Sequence, residues 1–551
     1  MKRNLLAFLT RYGVILFFVL YALIGLISFA DYGCGPDEGM ERQTSLVNFK
    51  YVIEKLSLPV PEATTRWLAY LPDLTEYRDR YYGTALHFPL VLIEAFANFQ
   101  FEPAVFYGMR HLFTFLNFYL GVICFYLLLK KRLGNRGWAL LGAAMLVLSP
   151  RFFAESFYNN KDVLFLSWYL ISCWLLVRWF ENKTWKNAAL AGVALALTCN
   201  TRLNAIIFFP LAAGFFLIDF LRGRSRSKRD FLSLAVLLLT AVAVFYLITP
   251  NFWEAPLRTA LETFAFNRAH PNHGSDGNLF LGRLVDSTQM WYFVPLWILL
   301  TTPVLYLVLS GIGLTASAMR GLHSLRSLRG RILMNTGRLD NAGLMDLFLF
   351  CVGFLPPLII IGMRVTIYNG WRHCYFAYGT ILYFAVLGGD AIFRLKIPNR
   401  FWRSVRTVGL AGAIGLSFAV TLAWMIANHP YQYVYFNAFV REYAGHFSGD
   451  YWGIASRDLL RFVVETDERP LIVIDHSYTQ TGSINRGLLD AVDRDRIDLV
   501  YDPDAADYIL YGRDDKPGGA VEFAGFEPVF SIRVDADEIG IVFRRLDQRP
   551  Q

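Results

Sequence analysis

The sequence predicts a mainly α, polytopic transmembrane protein of about eleven membrane helices, followed by a small external α/β domain. Three observations carry this. Hydrophobic residues make up 55% of the 551 positions and charged residues only 18%, a smaller charged share than soluble domains carry. Apolar runs recur at lengths near the roughly 20 residues that cross a bilayer. Lys and Arg collect in alternate loops between those runs, which is an orientation signal.

The runs fall at 13–30, 105–129, 137–149, 163–180, 187–199, 204–221, 231–249, 292–315, 343–363, 375–393 and 407–427. The third and fifth are short for a full crossing and need tilt or a few extra residues. The chain opens on the basic "MKRNLLAFLTRYG", and its first run ends in "SFA" before Asp31. A signal peptide cleaved after Ala30 would share these features, but the run exceeds a usual signal core, so a retained first helix is expected. Either way, Asp31 emerges beyond the membrane. "KKRLGNR", "RWFENKTWK", "RGRSRSKRD", "RGLHSLRSLRGR" and "FRLKIPNRFWR" then read as cytoplasmic loops. The intervening loops are aromatic, acidic and Asn-rich and read as external. An odd helix count leaves the C-terminus outside. The expected location is therefore the inner (plasma) membrane, with the N-terminus cytoplasmic and the C-terminal domain periplasmic.

Two external segments are long. Residues 31–104 are too polar to span but contain "TALHFPLVLIEAFANF", which reads as an interfacial or re-entrant helix. The tail contains "RPLIVIDHS", "RIDLVYD", "ADYILYGR" and "EIGIVFRRL", strand-like runs parted by Asp, Gly and Pro turns. The expected division is a transmembrane domain over 1–429 and an external α/β domain over 430–551. The net charge of +8 is accounted for by the cytoplasmic loops, so no nucleic-acid partner is expected. There is no Gly-rich phosphate loop, nucleophile elbow or Cys/His metal spacing.

Polar clusters gather at external helix ends. They are Asp37 and Glu38 after the first run; Arg151, Glu155, Asn159, Asn160, Lys161 and Asp162 before the fourth; and Arg202 with Asn204. Further along come Glu254 with Arg268, His270 and His273, then Arg372 with His373. Any one of them reads as a solvated loop or a helix cap, since Asn and Asp satisfy free N–H groups. All five on one side could line one cavity at the membrane surface. Carboxylates beside cations there suit transfer of a group from a lipid phosphate. A carboxylate takes the acceptor proton, while Arg, Lys or His holds the phosphate.

The chain resembles integral-membrane glycosyltransferases of the GT-C fold. It is most similar to bacterial relatives of the dolichyl-phosphate-mannose protein mannosyltransferases, and more distantly to the lipid A aminoarabinose transferase. The carrying pieces are "PDE" (36–38), "YYGTALHFPL", "SPRFFAESFYNNKDVLF", "TRLNA", "YNGWRH" and "HPYQYVYFNAFVREYAGHFSGDYWG". The resemblance implies a polyprenyl-phosphate sugar donor and a lipid, glycan or protein acceptor. It implies Asp37 as catalytic base, Glu38 as its neighbour and Asp162 as the second acidic position. Lys161, Arg202, Arg372 and His373 are the implied phosphate contacts. The aminoarabinose transferase has a phosphate-associated lysine in the first external loop; here that loop offers His87, with Arg78 and Arg80 upstream. Asp450 and Trp452 are expected to seat the tail on the membrane domain. No metal or other cofactor is required, although a divalent cation on Asp37, Glu38 and Asp162 is possible chemistry. A lipid or polysaccharide transporter or flippase, an O-antigen-type polymerase or ligase, and a non-catalytic binding member stand as alternatives.

Overall fold

The computed structural model describes residues 2–97, 101–268, 278–326, 341–513 and 521–546. Its first part is helical: α1 (Lys2–Ser28), α2 (Pro36–Leu56), α3 (Glu62–Leu68), α4 (Phe88–Ala97), α5 (Pro103–Leu133), α6 (Arg136–Val147), α7 (Pro150–Tyr158), α8 (Asp162–Glu181) and α9 (Trp185–Thr201). Beyond these come α10 (Phe208–Leu221), α11 (Lys228–Leu247), α12 (Pro256–Arg268), α13 (Phe293–Thr301), α14 (Val304–Arg326), α15 (Asn341–Gly362), α16 (Tyr378–Arg394), α17 (Arg400–Ala427) and α18 (Ser456–Thr466).

Among the described residues, nine helices are long and apolar enough to cross a membrane, or ten if α6 and α7 form one span bent by 66°. Every one of the eleven expected runs is helical. The count falls short at the third and fifth runs. Pro150 starts α7 and breaks the line of α6, and α9 has only 17 residues. The remaining departure lies before them. Residues 36–56, read as part of a polar external segment, form α2, with Pro36 at its first position and Asp37 and Glu38 in its first turn. The expected interfacial helix is α4.

Helix α16 is the centre of the bundle, buried from Tyr378 to Asp390. Its contact with α14 is backbone on backbone. A Cβ on Gly313 would stand 1.8 Å from the Phe384 carbonyl oxygen, and one on Gly388 would stand 1.9 Å from that of Leu309. Small residues permit such approach where lipid supplies no hydrophobic drive between helices. At one end, Arg132 of α5 clamps Asp346 of α15 through two bonds of 2.7 and 2.8 Å, and Tyr383 of α16 donates to the same carboxylate. Near the other, Glu94 of α4 lies between Arg110 of α5 and Arg42 of α2, tying the polar helix to the membrane bundle.

The tail folds as a five-stranded mixed sheet in the order β4-β3-β5-β7-β6. Two short strands precede it, β1 (Asn278–Phe280) and β2 (Arg283–Val285), and the sheet itself comprises β3 (Ile472–Tyr478), β4 (Ile497–Val500), β5 (Tyr508–Gly512), β6 (Phe526–Val534) and β7 (Asp537–Arg545). The segment before it plugs into the end of the bundle. Tyr433 donates to the buried Asp450 carboxylate, and Tyr451 meets Arg151 and Tyr375. Asn485 bonds both backbone groups of Cys34, accepting from its N–H at 2.8 Å and donating to its carbonyl at 3.0 Å.

Gly388→Ala should force α14 and α16 apart and cost about 1–3 kcal/mol, as overpacking does. A melting curve of the detergent-solubilised protein checks it. Gly409→Ala, with open space around its Cβ, should leave the midpoint unchanged.

Candidate active site

Four of the five polar clusters meet where α2, α8, α9, the segment before α16 and the tail converge. The first turn of α2 presents Asp37, whose Oδ2 accepts from Arg372 Nη1 at 2.8 Å. Arg372 Nε lies 3.7 Å from Asp162 Oδ2, and Asp162 is also paired with Arg202. Asp162 opens α8, where Asn159 Oδ1 accepts its backbone N–H at 2.8 Å. The Arg372 guanidinium packs over two rings, 4.7 Å from the Trp452 centroid and 5.1 Å from that of Tyr368. Asp37, Arg372, Asp162 and Arg202 thus form one chain of charge drawn from four separate parts of the sequence.

Exposure separates the carboxylates. The Asp37 side chain is 16% exposed, whereas Asp162 is 1% and Glu41 is 2% exposed. Asp37 is the one that an entering group reaches. Glu41, which sequence reading did not single out, holds Lys161 in a close pair, and the Lys161 ammonium sits 3.7 Å from the Tyr82 ring centroid. Burial pushes the Glu41 carboxyl above the usual range, and Lys161 pulls it back. Its spacing was the available signal, since a residue four positions after Asp37 shares its helix face. That inference needed α2 to be recognised as a helix.

Glu38 does not share the Asp37 face. It is fully buried and turns toward Gly35, Cys34 and His111. The set expected for a divalent cation is therefore divided, and its two other members are held by arginines. His87 reaches the site through the Asn160 carbonyl oxygen, 3.1 Å from Nε2. Burial, with Arg110 and Lys161 adding to it, lowers its pKa to about 3, so it is a neutral hydrogen-bonding group there. His373 packs edge-on against Tyr368 at 4.7 Å. Arg80 lies in the outer loop, donating to the Tyr77 carbonyl and to Tyr81 Oη. Glu254 pairs with Lys55 and Tyr51 at the far end of α2, and Asn204 is exposed. His270 and His273 lie outside the described residues, as does the Arg268 side chain.

Several buried donors remain unused. Arg202 Nε, Arg372 Nε and Asn160 Nδ2 have no hydrogen-bond partner. Buried N–H groups are ordinarily paired, so these donors are available to an anion. Trp452 seats the tail, its ring 5.8 Å from that of Tyr158 and 4.7 Å from the Arg372 guanidinium, whereas Asp450 bonds within the tail, to Tyr433 and the Ala455 N–H. Close approach explains Gly83 beside the site, whose Cβ would lie 1.9 Å from the Asn200 carbonyl oxygen.

A histidine kept neutral by the fold contributes stability above its unfolded pKa of roughly 6.5. That contribution is lost as pH falls toward about 3. The melting temperature of the wild type should therefore drop more steeply below pH ~6.5 than that of His87→Gln. Thermal scans of both proteins through that interval check it.

The sequence profile of the dolichyl-phosphate-mannose-protein mannosyltransferases matches residues 109–248, which run from α5 through α11 and include Asp162 and Arg202. No curated protein sequence matches the chain. Among solved structures, the archaeal oligosaccharyltransferase AglB from Archaeoglobus fulgidus, in complex with an inhibitory peptide and a dolichol-phosphate, is similar at 12% identity and a TM-score of 0.48, covering 92% of this chain and 70% of that one. ArnT from Cupriavidus metallidurans in the apo state is similar at 13% identity and a TM-score of 0.46, covering 97% and 98%. Residues 109–248 thus carry the likeness to the dolichyl-phosphate-mannose-protein mannosyltransferases, within a helical architecture that has nine helices long and apolar enough to cross a membrane among the described residues.

Proposed function

We propose that the protein transfers a sugar from a polyprenyl-phosphate donor to an acceptor by single displacement with inversion, on the periplasmic face of the inner membrane. The observation that carries this is the Asp37–Arg372–Asp162–Arg202 chain at one end of an apolar bundle, with unused guanidinium donors beside it. The acceptor is a lipid, a glycan or a protein side chain. The positive charge of the alternate loops supports a cytoplasmic N-terminus and an external tail.

In this reading Asp37 is the general base. It takes the proton of the acceptor hydroxyl or amine as that atom attacks the anomeric carbon, and the bond from carbon to phosphate oxygen breaks. Arg372 has two tasks. Its bond to Asp37 Oδ2 orients the carboxylate, and its positive charge, with the unbonded Nε of Arg202, meets the charge growing on the leaving phosphate. Preorganised cations aimed at developing charge in a dry site need no rearrangement as the reaction proceeds. Lys161 adds positive charge from the neighbouring face, and His87 a neutral hydrogen bond. Arg80 and His373 help to shape the donor pocket. Water is kept out by Trp452 and Tyr368, which pack against Arg372.

This mechanism draws on no metal; each carboxylate facing the site is already matched by an Arg or Lys. The transporter reading predicts ionisable groups midway along the spans, whereas the network supporting transfer lies at helix ends.

The test uses purified protein in nanodiscs with a panel of radiolabelled polyprenyl-phosphate sugars and cell-envelope fractions. Wild type should transfer or slowly hydrolyse one donor. Asp37→Asn should retain donor binding and lose turnover by 10²-fold or more, the scale of a general base. Equal turnover in the variant would remove Asp37 as base. Movement of lipid across the bilayer with no donor consumed would overturn the enzyme reading.

A further inference from the structure

Beside Asp37, about 100° around the first turn of α2, three donor groups of different chemistry point at one another. They are Cys34 Sγ, a Glu38 carboxylate oxygen and a ring nitrogen of His111 from α5, all buried and mutually within 4.8 Å. Glu38 is fully buried and His111 is 2% exposed. Neither belongs to the charge chain described above.

A neutral His111 cannot satisfy both of its neighbours. Its Nδ1 lies 3.1 Å from the Phe29 carbonyl oxygen, and its Nε2 lies 3.0 Å from Glu38 Oε1 and 3.3 Å from Oε2. Both ring nitrogens thus face acceptors, yet a neutral imidazole carries one N–H. A backbone carbonyl can only accept, so the proton belongs on Nδ1. That leaves the Nε2 lone pair directed at a carboxylate. Glu38 Oε1, wholly buried, has no hydrogen-bond partner of its own. A buried lone pair facing a buried carboxylate is repulsive unless a positive species lies between them, either a proton, which makes an imidazolium–carboxylate pair, or a metal ion.

From this convergence we infer a metal site in which Cys34, Glu38 and His111 bind one borderline-soft divalent ion, zinc being the natural fit. Thiolate, carboxylate and imidazole are its usual ligands, with bonds of about 2.0 to 2.3 Å. Two ligands of one tetrahedral ion then stand about 3.3–3.6 Å apart, close to the spacing of His111 Nε2 and Glu38. A thiolate and a carboxylate together neutralise a dication, so the buried site carries no net charge. Each ligand also has an outer partner that fixes it. The Phe29 carbonyl holds the His111 tautomer, the usual arrangement for a metal-bound imidazole. The Gly35 N–H donates to Glu38 Oε2 at 3.0 Å, and Asn485 clamps the Cys34 backbone on both sides. Binding displaces the Cys34 thiol proton to solvent and replaces the direct contacts of Glu38 with Cys34 and His111 by bonds to the ion.

The ion would be a positioning element. It would tie the turn that carries Asp37 to α5, fixing where the carboxylate stands against Arg372, without touching the reacting atoms. The inference stands apart from the proposed reaction, since it holds or fails whatever the chain transfers.

The experiment uses the full chain purified in detergent, dialysed against a weak chelator and measured for zinc by mass spectrometry. Wild type and Asp37→Asn should retain about one equivalent, and Cys34→Ser and His111→Gln should lose it. Because those two variants also alter packing, wild-type protein stripped and reloaded with Co²⁺ supplies an independent reading. It should show a thiolate-to-cobalt charge-transfer band, and its melting temperature should rise on reloading. A wild type without retained zinc and without that cobalt band would overturn the site. So would metal held equally well by Cys34→Ser and His111→Gln.

Discussion

A guanidinium withdrawn from water must be matched by negative charge, and Arg372 meets that demand with partners from three distant segments. Its side chain is 4% exposed. Asp37 comes from the polar helix after the first span, Asp162 from the start of α8, and the Trp452 ring from the tail. A buried ion pair adds little net stability compared with a well-packed apolar pair, but removing one member leaves the other uncompensated, at about 3–5 kcal/mol. Arg372 is therefore less a source of stability than a condition on assembly. The polar helix, the bundle and the tail can each take only the position in which this charge is neutralised.

The same constraint separates the duties of adjacent residues. Asp37 and Glu38 are neighbours in sequence but turn about 100° apart around a helix. One faces the half-open site with arginine beside it; the other faces a sealed pocket with a thiol and an imidazole. Glu41, a turn further along, returns to the Asp37 side and holds Lys161. A single turn and a half of helix thus distributes three carboxylates between two environments of opposite character. The Asp37 side holds hard oxygens and always-charged cations, and the Glu38 side holds softer donors.

Much of the fold was legible in the sequence because membrane helices declare themselves by length and apolarity, and loop charge orders them. Asp37, Asp162, Arg202 and Arg372 stood out because each sits where an apolar run ends, and the bundle brings those ends together. The parts that stayed hidden lack such a marker. Helix α2 has neither an apolar run nor a strong apolar stripe; it is held by Glu94, Arg42 and Arg110 and by its contact with the tail, so no period in residues 36–56 announces it. With α2 unseen, Glu41 and the divergence of Glu38 from Asp37 were unseen too. His111 was concealed differently, inside the apolar run 105–129, where a lone histidine reads as packing. Strands β3, β4, β5 and β7 follow the alternating runs of the tail, while β6, with Pro528 and two register shifts against β7, gives no such pattern.

The hold of Asn485 on Cys34 joins residues 451 positions apart, and this matters while the chain is being made. At roughly 5–20 residues per second, that separation takes roughly 20 to 90 s of synthesis. Through that interval the first spans can insert and pair, yet the turn bearing Asp37 has no final anchor and Arg372 has no Trp452 beneath it. The charged network gains its last packing partner only once the tail has been made and folded. A chain stalled before residue 452 therefore carries the network without the ring that packs on Arg372.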